Sequence, residues 1–217
     1  MRISIHQPAY LPWLGYFDKI FRSDLFIILD TVQFQKNSYQ NRNKILSKNG
    51  TITLTLPIQL DKYKIIKNAK ILNNNWQKKH IDSIFFNYNK AKYFEKYFES
   101  LKKFYSNKCC GFNDYTYEML IYFCKILNIE TKIIKLSSEK EIDGNKGDLI
   151  LNICKYFKAD TYLSGINGQN YLDLNSFNKN NIKIEFQKFK SQKYKQIHSD
   201  VFVPNLSIID YIMNSKI

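Results

Sequence analysis

The sequence predicts an α/β protein with a mixed or mostly parallel sheet and flanking helices. Apolar runs of strand length at 2–6 and 25–30 enclose a segment, 13–22, whose apolar residues recur at helical spacing. A second unit repeats the pattern, because the strand-like TKIIKL and TYLSG enclose an amphipathic stretch at 146–157. The first two strands are therefore expected to be parallel neighbours with a right-handed crossover, and the second unit is also expected to be parallel.

Two segments with different residue patterns follow the first unit. Residues 31–49 are rich in amides and show no clear periodicity, whereas 50–57 alternates like a half-buried strand that ends at a proline. A further strand is expected at 68–72. The section from about 75 to 127 is helical, with aromatic residues at helical spacing between 93 and 104.

The last part of the chain, IKIEFQKF, predicts a late strand, and 208–213 a short helix. With 217 residues, 44% hydrophobic and 24% charged, the composition is that of a folded globular chain. We expect one domain spanning 1–217. No run approaches the ~18 apolar residues of a membrane span, and Pro8 lies where a secretory signal would need its apolar stretch. These features predict a cytoplasmic protein without a membrane span.

The cysteines and histidines do not predict a metal site or a disulfide framework. The four cysteines, Cys109, Cys110, Cys124 and Cys154, contain no C-x-x-C pair. Cys124 and Cys154 lie in apolar helical patterns and are expected to be buried thiols. Of the three histidines, His80 and His198 are expected at the surface or at an interface.

The formal net charge of +14 points to anionic partners, but the type of basic residue limits which partners are expected. Of 33 basic residues three are arginines, Arg2, Arg22 and Arg42, and the remainder are lysines. Arginine is the residue favoured for paired contacts with phosphates and bases. Specific nucleic-acid binding is therefore disfavoured, although a basic surface attracts nucleotide-sugars, RNA or membrane headgroups.

Polar segments follow several predicted strands, and ligands of parallel α/β sheets bind beyond the carboxyl ends of strands. His6 begins a loop stiffened by two prolines, Asp30 opens the amide-rich stretch, 137–146 leads into a helix, and 164–169 is a glycine-containing turn. We expect His6, Asp30, Arg42 and Ser164 to converge within about one ligand length. The wider set of candidate binding residues is Gln7, Tyr10, Trp13, Gln33, Lys36, Asn41, Arg42, Asn43, Ser164, Gly165, Gly168, Gln169, Tyr194 and Gln196.

Four segments form a specific combination: HQPAYLPWLGYF at 6–17, DTVQFQK at 30–36 with NRN at 41–43, YLSGINGQNYL at 162–172 and FVPNLSIID at 202–210. Together they resemble the WbqC-like family, which is associated with bacterial O-antigen, lipopolysaccharide and other surface-polysaccharide gene clusters. The opening β-loop-α-β also looks like the nucleotide-binding HUP or nucleotidyltransferase class. The H-x-G-H motif of that class is absent, since Tyr10 stands where a second histidine is sought.

The resemblance implies an enzyme that modifies a nucleotide-linked amino sugar, by acyl or aminoacyl transfer to the sugar amine. The choice of acyl transfer rests on pathway plausibility. His6 or Asp30 would be the base, Arg42 with Lys36 the phosphate clamp, and the 164–169 turn a source of backbone donors. An activated acyl or aminoacyl donor is implied, and no metal is required.

Two other classes remain open at this point. One is an RNA-interacting protein, either an enzyme that takes its aminoacyl group from tRNA or a non-catalytic binder, which the charge and the aromatic residues favour. The other is a non-catalytic partner in glycan assembly. Whether the chain forms a homo-oligomer is also open.

Overall fold

A five-stranded parallel sheet organises the molecule in a computed structural model that describes residues 1–107 and 111–217. Its order is β7-β2-β1-β8-β9, and every adjacent pair is parallel. The strands are β1 (Arg2–His6), β2 (Leu25–Ile28), β7 (Lys132–Lys135), β8 (Thr161–Ser164) and β9 (Lys183–Phe186). The predicted α/β class is confirmed, including the parallel pairing of β1 with β2 around α1 (Leu14–Phe21).

Two small antiparallel ribbons accompany the sheet. One pairs β3 (Arg42–Ser47) with β4 (Gly50–Thr55), and the other pairs β5 (Ile58–Gln59) with β6 (Lys70–Ile71). The sequence did not predict β3, because Ile45, Leu46 and Ser47 are buried in succession and the strand lacks the alternation of a half-exposed one.

Helices cover both faces of the sheet. The remaining helices are α2 (Trp76–Tyr88), α3 (Phe94–Ser106), α4 (Phe112–Ile126), α5 (Lys146–Tyr156), α6 (Leu174–Lys179) and α7 (Ile208–Asn214). Phe26 and Ile28 pack with α1 and the helical middle section, whereas Ile3 and Ile5 pack with α5 and α6 on the opposite face. Among the described residues, none of the helices has the length and apolarity that crossing a bilayer requires.

The winding direction of the sheet reverses between β1 and β8. Numbered by their sequence order within this sheet alone, the five strands run 3-2-1-4-5. The pairing of β1 with β8 covers two residue pairs, Arg2 with Thr161 and Ile3 with Tyr162, whereas β1 pairs with β2 as far as His6. The carboxyl ends of β1 and β8 are therefore separated at the topological switch point, where ligands of open α/β sheets bind.

A chain of buried hydroxyl groups crosses the helical layer. The Tyr10 hydroxyl lies 2.6 Å from both His80 Nδ1 and the Tyr105 hydroxyl. His80 also hydrogen-bonds the main chain at Thr55. Tyr105, Tyr10 and His80 thus form one buried hydrogen-bonded series. His80 is 6% exposed, so the expected surface position is wrong.

Burial lowers the pKa of His80 to about 4, with a smaller contribution from the charge of Lys79. Neutral His80 therefore contributes stability that is full above pH 6.5 and is lost as the pH falls towards 4. In His80→Phe we expect the slope of unfolding free energy against pH, between pH 4.5 and 6, to fall by about 1.4 kcal/mol per pH unit. Urea unfolding of the wild type and of His80→Phe across this pH range measures the two slopes. Equal slopes would contradict the lowered pKa of His80.

Candidate functional site

His6 ends β1 at the switch point, on the face of the sheet that α1 covers. Its half-buried ring packs edge-on against Tyr16, with ring centroids 4.7 Å apart, and lies 6.1 Å from the Trp13 ring. Nδ1 lies 3.0 Å from the Gln7 carbonyl oxygen, so Nδ1 is the donor and Nε2 keeps its lone pair. Burial, with the nearby charge of Lys19, lowers the pKa of His6 to about 3. The ring is therefore neutral, with Nε2 unprotonated.

An aromatic pair stands beside this imidazole. The rings of Trp13 and Tyr39 are 5.0 Å apart, and Tyr39 is 50% exposed. Two contacts hold the loops that carry them together: Tyr10 N donates to Gln40 O over 3.0 Å, and Gln40 Nε2 donates to Gln7 Oε1 over 2.7 Å. Hydrogen bonds from the amide-rich segment thus hold the partly exposed rings of Trp13 and Tyr39 near His6.

Lys19 is a buried lysine of α1 that the sequence reasoning did not select. It is 3% exposed, and Nζ donates to the Ile5 carbonyl oxygen over 2.9 Å. Burial lowers the pKa of Lys19 to about 7. The helical spacing of α1 could have indicated its burial, because Gly15 and Tyr16 lie four and three residues before Lys19 and share its buried face.

The carboxylate of Asp30 is held by the protein itself. Asp30 is fully buried and accepts hydrogen bonds from Ser137 N at 2.9 Å, from Ser137 Oγ at 2.5 Å and from Asn113 Nδ2 at 2.5 Å. These bonds join the end of β2 to α4 and to the segment after β7. The geometry favours a structural role, and the catalytic role of Asp30 stays a prediction.

Ser164 ends β8 at the same edge of the sheet as His6 but on the other face. Ile3 pairs with Tyr162, and both lie in the core beside α5; side chains alternate along a strand, so Ser164 faces α5 and His6 faces α1. The expected convergence of these two side chains is therefore corrected. Ser164 Oγ donates to Gly165 O over 3.0 Å.

Gly168 is required for the close packing of this turn. A Cβ added there would stand 2.0 Å from Ser164 Oγ, so a larger residue would displace the serine. Ser164 is 1% exposed and Gln169 is exposed. The turn is thus closed around its own hydroxyl at Gly168, whereas a Cβ added at Gly165 would meet nothing within 4 Å. The binding roles of Ser164, Gly165, Gly168 and Gln169 stay predictions.

The asparagines of the NRN segment support the first loop. Asn43 Nδ2 donates to Leu11 O over 2.6 Å, and Asn41 Nδ2 donates to Leu56 O over 3.1 Å. Arg42 lies between them in β3 and therefore projects from the opposite face of the strand. Gln33 and Lys36 are exposed in the preceding segment. The binding roles of these side chains stay predictions.

Tyr194 and Gln196 belong to a separate buried cluster, as Tyr10 belongs to the hydroxyl chain above. The Tyr194 hydroxyl and Gln196 Nε2 both donate to Asp210 Oδ2 over 2.7 Å, and the Tyr88 hydroxyl donates to Oδ1 over 2.9 Å. Burial raises the pKa of Asp210 despite these donors. The cluster ties α2, α7 and the segment before α7 together.

In the part of the chain that the structure describes, no group of three or more His, Cys, Asp or Glu residues could hold a metal ion. Cys124 and Cys154 are free and buried, as expected. Cys109 and Cys110 lie outside the described residues.

Replacing Asp30 tests whether its carboxylate is structural. Asp30→Ala leaves the Ser137 amide and the Asn113 side chain without their acceptor, so we expect a loss of about 2–4 kcal/mol in unfolding free energy. The exposed Asp200→Ala is the matched control and should stay within about 0.5 kcal/mol. Urea unfolding measures both, and equal stabilities would show that the Asp30 network contributes nothing.

Comparison with known proteins identifies the family of this chain. Residues 7–217 match the model of the WbqC-like protein family. The chain is also similar to an uncharacterized protein of Mycobacterium tuberculosis, Rv1507c, with 30% identity over 217 residues, covering 98% of this chain and 93% of that protein. No solved structure matches. The chain belongs to the WbqC-like protein family.

Proposed function

We propose that this protein is an enzyme of bacterial surface-polysaccharide, or O-antigen, biosynthesis that modifies a nucleotide-linked amino sugar. The reaction proposed is acyl or aminoacyl transfer to the sugar amine. The observation that carries the proposal is the neutral His6 imidazole, with Nε2 unprotonated, at the topological switch point of a parallel sheet. The pathway follows from family resemblance.

The chemistry needs a base next to the attacking amine. As the sugar nitrogen bonds the acyl carbon, the bond from that carbon to the donor's leaving group breaks and the nitrogen loses a proton. Nε2 of His6 has the lone pair to accept this proton. Burial is the main cause of the low pKa of His6, and the charge of Lys19 is the second. A bound diphosphate would offset the second cause and so raise the basicity of the ring.

The aromatic pair suits the rest of such a substrate. The partly exposed rings of Trp13 and Tyr39 offer flat apolar surface to a base or a sugar ring. Lys36 and Arg42 stay sequence predictions for the phosphate clamp. The donor is an activated acyl or aminoacyl compound, and aminoacyl-tRNA is one such donor.

Binding is testable through Trp13, because the chain has two tryptophans and Trp76 is 3% exposed. In a Trp76→Phe protein, uridine- and thymidine-diphosphate amino sugars should change Trp13 emission with saturation, at about 0.15 M salt. Bulk tRNA should bind weakly and lose affinity as salt rises. Salt-resistant tRNA binding without any nucleotide-sugar response would overturn the proposal in favour of RNA recognition.

The Arg42→Lys variant adds a second arm to this titration. A planar guanidinium grips adjacent phosphates by paired hydrogen bonds, whereas an ammonium acts as a point charge. Weaker nucleotide-sugar binding at unchanged net charge would place Arg42 in the site. Equal binding would remove Arg42 and leave the rest of the proposal intact.

The role of His6 is tested by His6→Ala, with His198→Ala as the matched loss of a histidine elsewhere. We expect His6→Ala to keep nearly the wild-type melting temperature and to lower acyl transfer to the sugar amine by ~10²–10⁴. His198→Ala should keep its transfer rate. A His6→Ala protein that melts early yet retains full specific activity in its folded fraction would show that His6 is structural.

A further inference from the structure

Lys19 carries a buried amine that contacts a carbonyl oxygen. A lysine ammonium has three hydrogens to donate, and the Ile5 carbonyl takes one. The adjacent carboxylate, Asp18, is engaged elsewhere: Oδ2 accepts from Gln187 Nε2 over 2.6 Å and lies 3.8 Å from the Arg22 guanidinium. Among residues 1–107 and 111–217, Lys19 forms no ion pair. An unpaired charge that is 3% exposed is costly to bury.

This amine lies at the point where the pairing of β1 with β8 ends. The pairing of β1 with β8 stops at Ile3, so the Ile5 carbonyl is not used by β8 and is met by Nζ instead. His6 from β1 is a titratable group whose pKa responds to the charge of Lys19, and Asp18 and Arg22 pair with each other on α1. His6 is neutral, so it leaves the positive charge of Lys19 unbalanced.

We propose that Lys19, at the split between β1 and β8, is the binding residue for a phosphoryl anion that supplies the missing negative charge. The inference rests on the proposed function, because the diphosphate of a nucleotide-linked sugar is such an anion. The four-carbon stem lets the ammonium turn from the Ile5 carbonyl towards the open edge. Burial lowers the pKa of Lys19 to about 7, and an adjacent anion favours the charged form.

The test is Lys19→Met, which keeps the length of the side chain and removes the charge. Its matched control is Lys132→Met, since Lys132 is exposed at the amino end of β7 and the change in net charge is the same. The ligands are inorganic pyrophosphate and a uridine-diphosphate amino sugar, titrated by calorimetry at pH 6 and about 0.15 M salt, where surface attraction is screened.

The wild type and Lys132→Met should bind pyrophosphate with equal affinity, and Lys19→Met should lose about 10–100-fold, as expected for a charge-assisted contact. The melting temperature of Lys19→Met should stay close to that of the wild type, because removal of a buried charge offsets the loss of the donor to the Ile5 carbonyl. A melting temperature lowered by more than about 2 °C would mean a structural lysine and would overturn the proposal.

Two further outcomes separate this inference from the proposed function. Pyrophosphate binding that depends on Lys19, without any binding of the nucleotide-sugar, would support the anion site and overturn the proposed substrate. Nucleotide-sugar binding of equal strength in wild type and Lys19→Met would overturn the anion site and leave the substrate standing. A wild type that binds neither ligand at millimolar concentration would overturn both.

Discussion

The short pairing between β1 and β8 is the constraint on which the candidate site depends. Where a parallel ladder continues, each carbonyl is used by the neighbouring strand, and the two strands leave no gap for a ligand. Here the ladder stops after two residue pairs, and the Ile5 carbonyl becomes available to the Lys19 ammonium. The same opening places the His6 ring at a free edge. One local feature of strand pairing therefore brings both ionisable groups to this site, where burial lowers the pKa of each.

Most of the polar residues in the family-like segments serve to hold that edge in place. Asn43 and Gln40 fix the first loop. Asp30 joins the end of β2 to α4 through one donor of Asn113 and to the segment after β7 through two donors of Ser137. Asp210, at the end of FVPNLSIID, gathers Tyr88, Tyr194 and Gln196 in the same way. Buried polar groups are expensive unless they are hydrogen-bonded, so such networks specify one arrangement of loops. The polar residues of these segments thus more often stabilise the loops around the candidate site than line it.

The sequence predicted the elements that carry their own signal. β1, α1 and β2 were recognisable because apolar runs and helical spacing are local properties, and the strand ends correctly indicated the edge. The face of each side chain was not predictable, because it depends on register: a shift of one residue separates His6 from Ser164. β3 was missed because it is buried on both faces, and Lys19 because lysine is almost never expected in a core. His80 was misplaced because its partner Tyr10 lies seventy residues away.

Exposed lysines and the buried Lys19 act on an anionic ligand in different ways. The net charge of +14 comes mainly from lysines, and an exposed lysine attracts any anion over a Debye length of ~8 Å at physiological ionic strength. Such attraction raises the local concentration of anionic ligands without selecting among them. A buried ammonium is screened much less and is fixed in direction by α1 and by the Ile5 carbonyl. In the mechanism proposed here, the surface lysines deliver the anion and Lys19 fixes its position beside His6. Because the sheet opens at that point and nowhere along the pairing of β1 with β2, the selectivity of the site follows from strand pairing rather than from the number of basic residues.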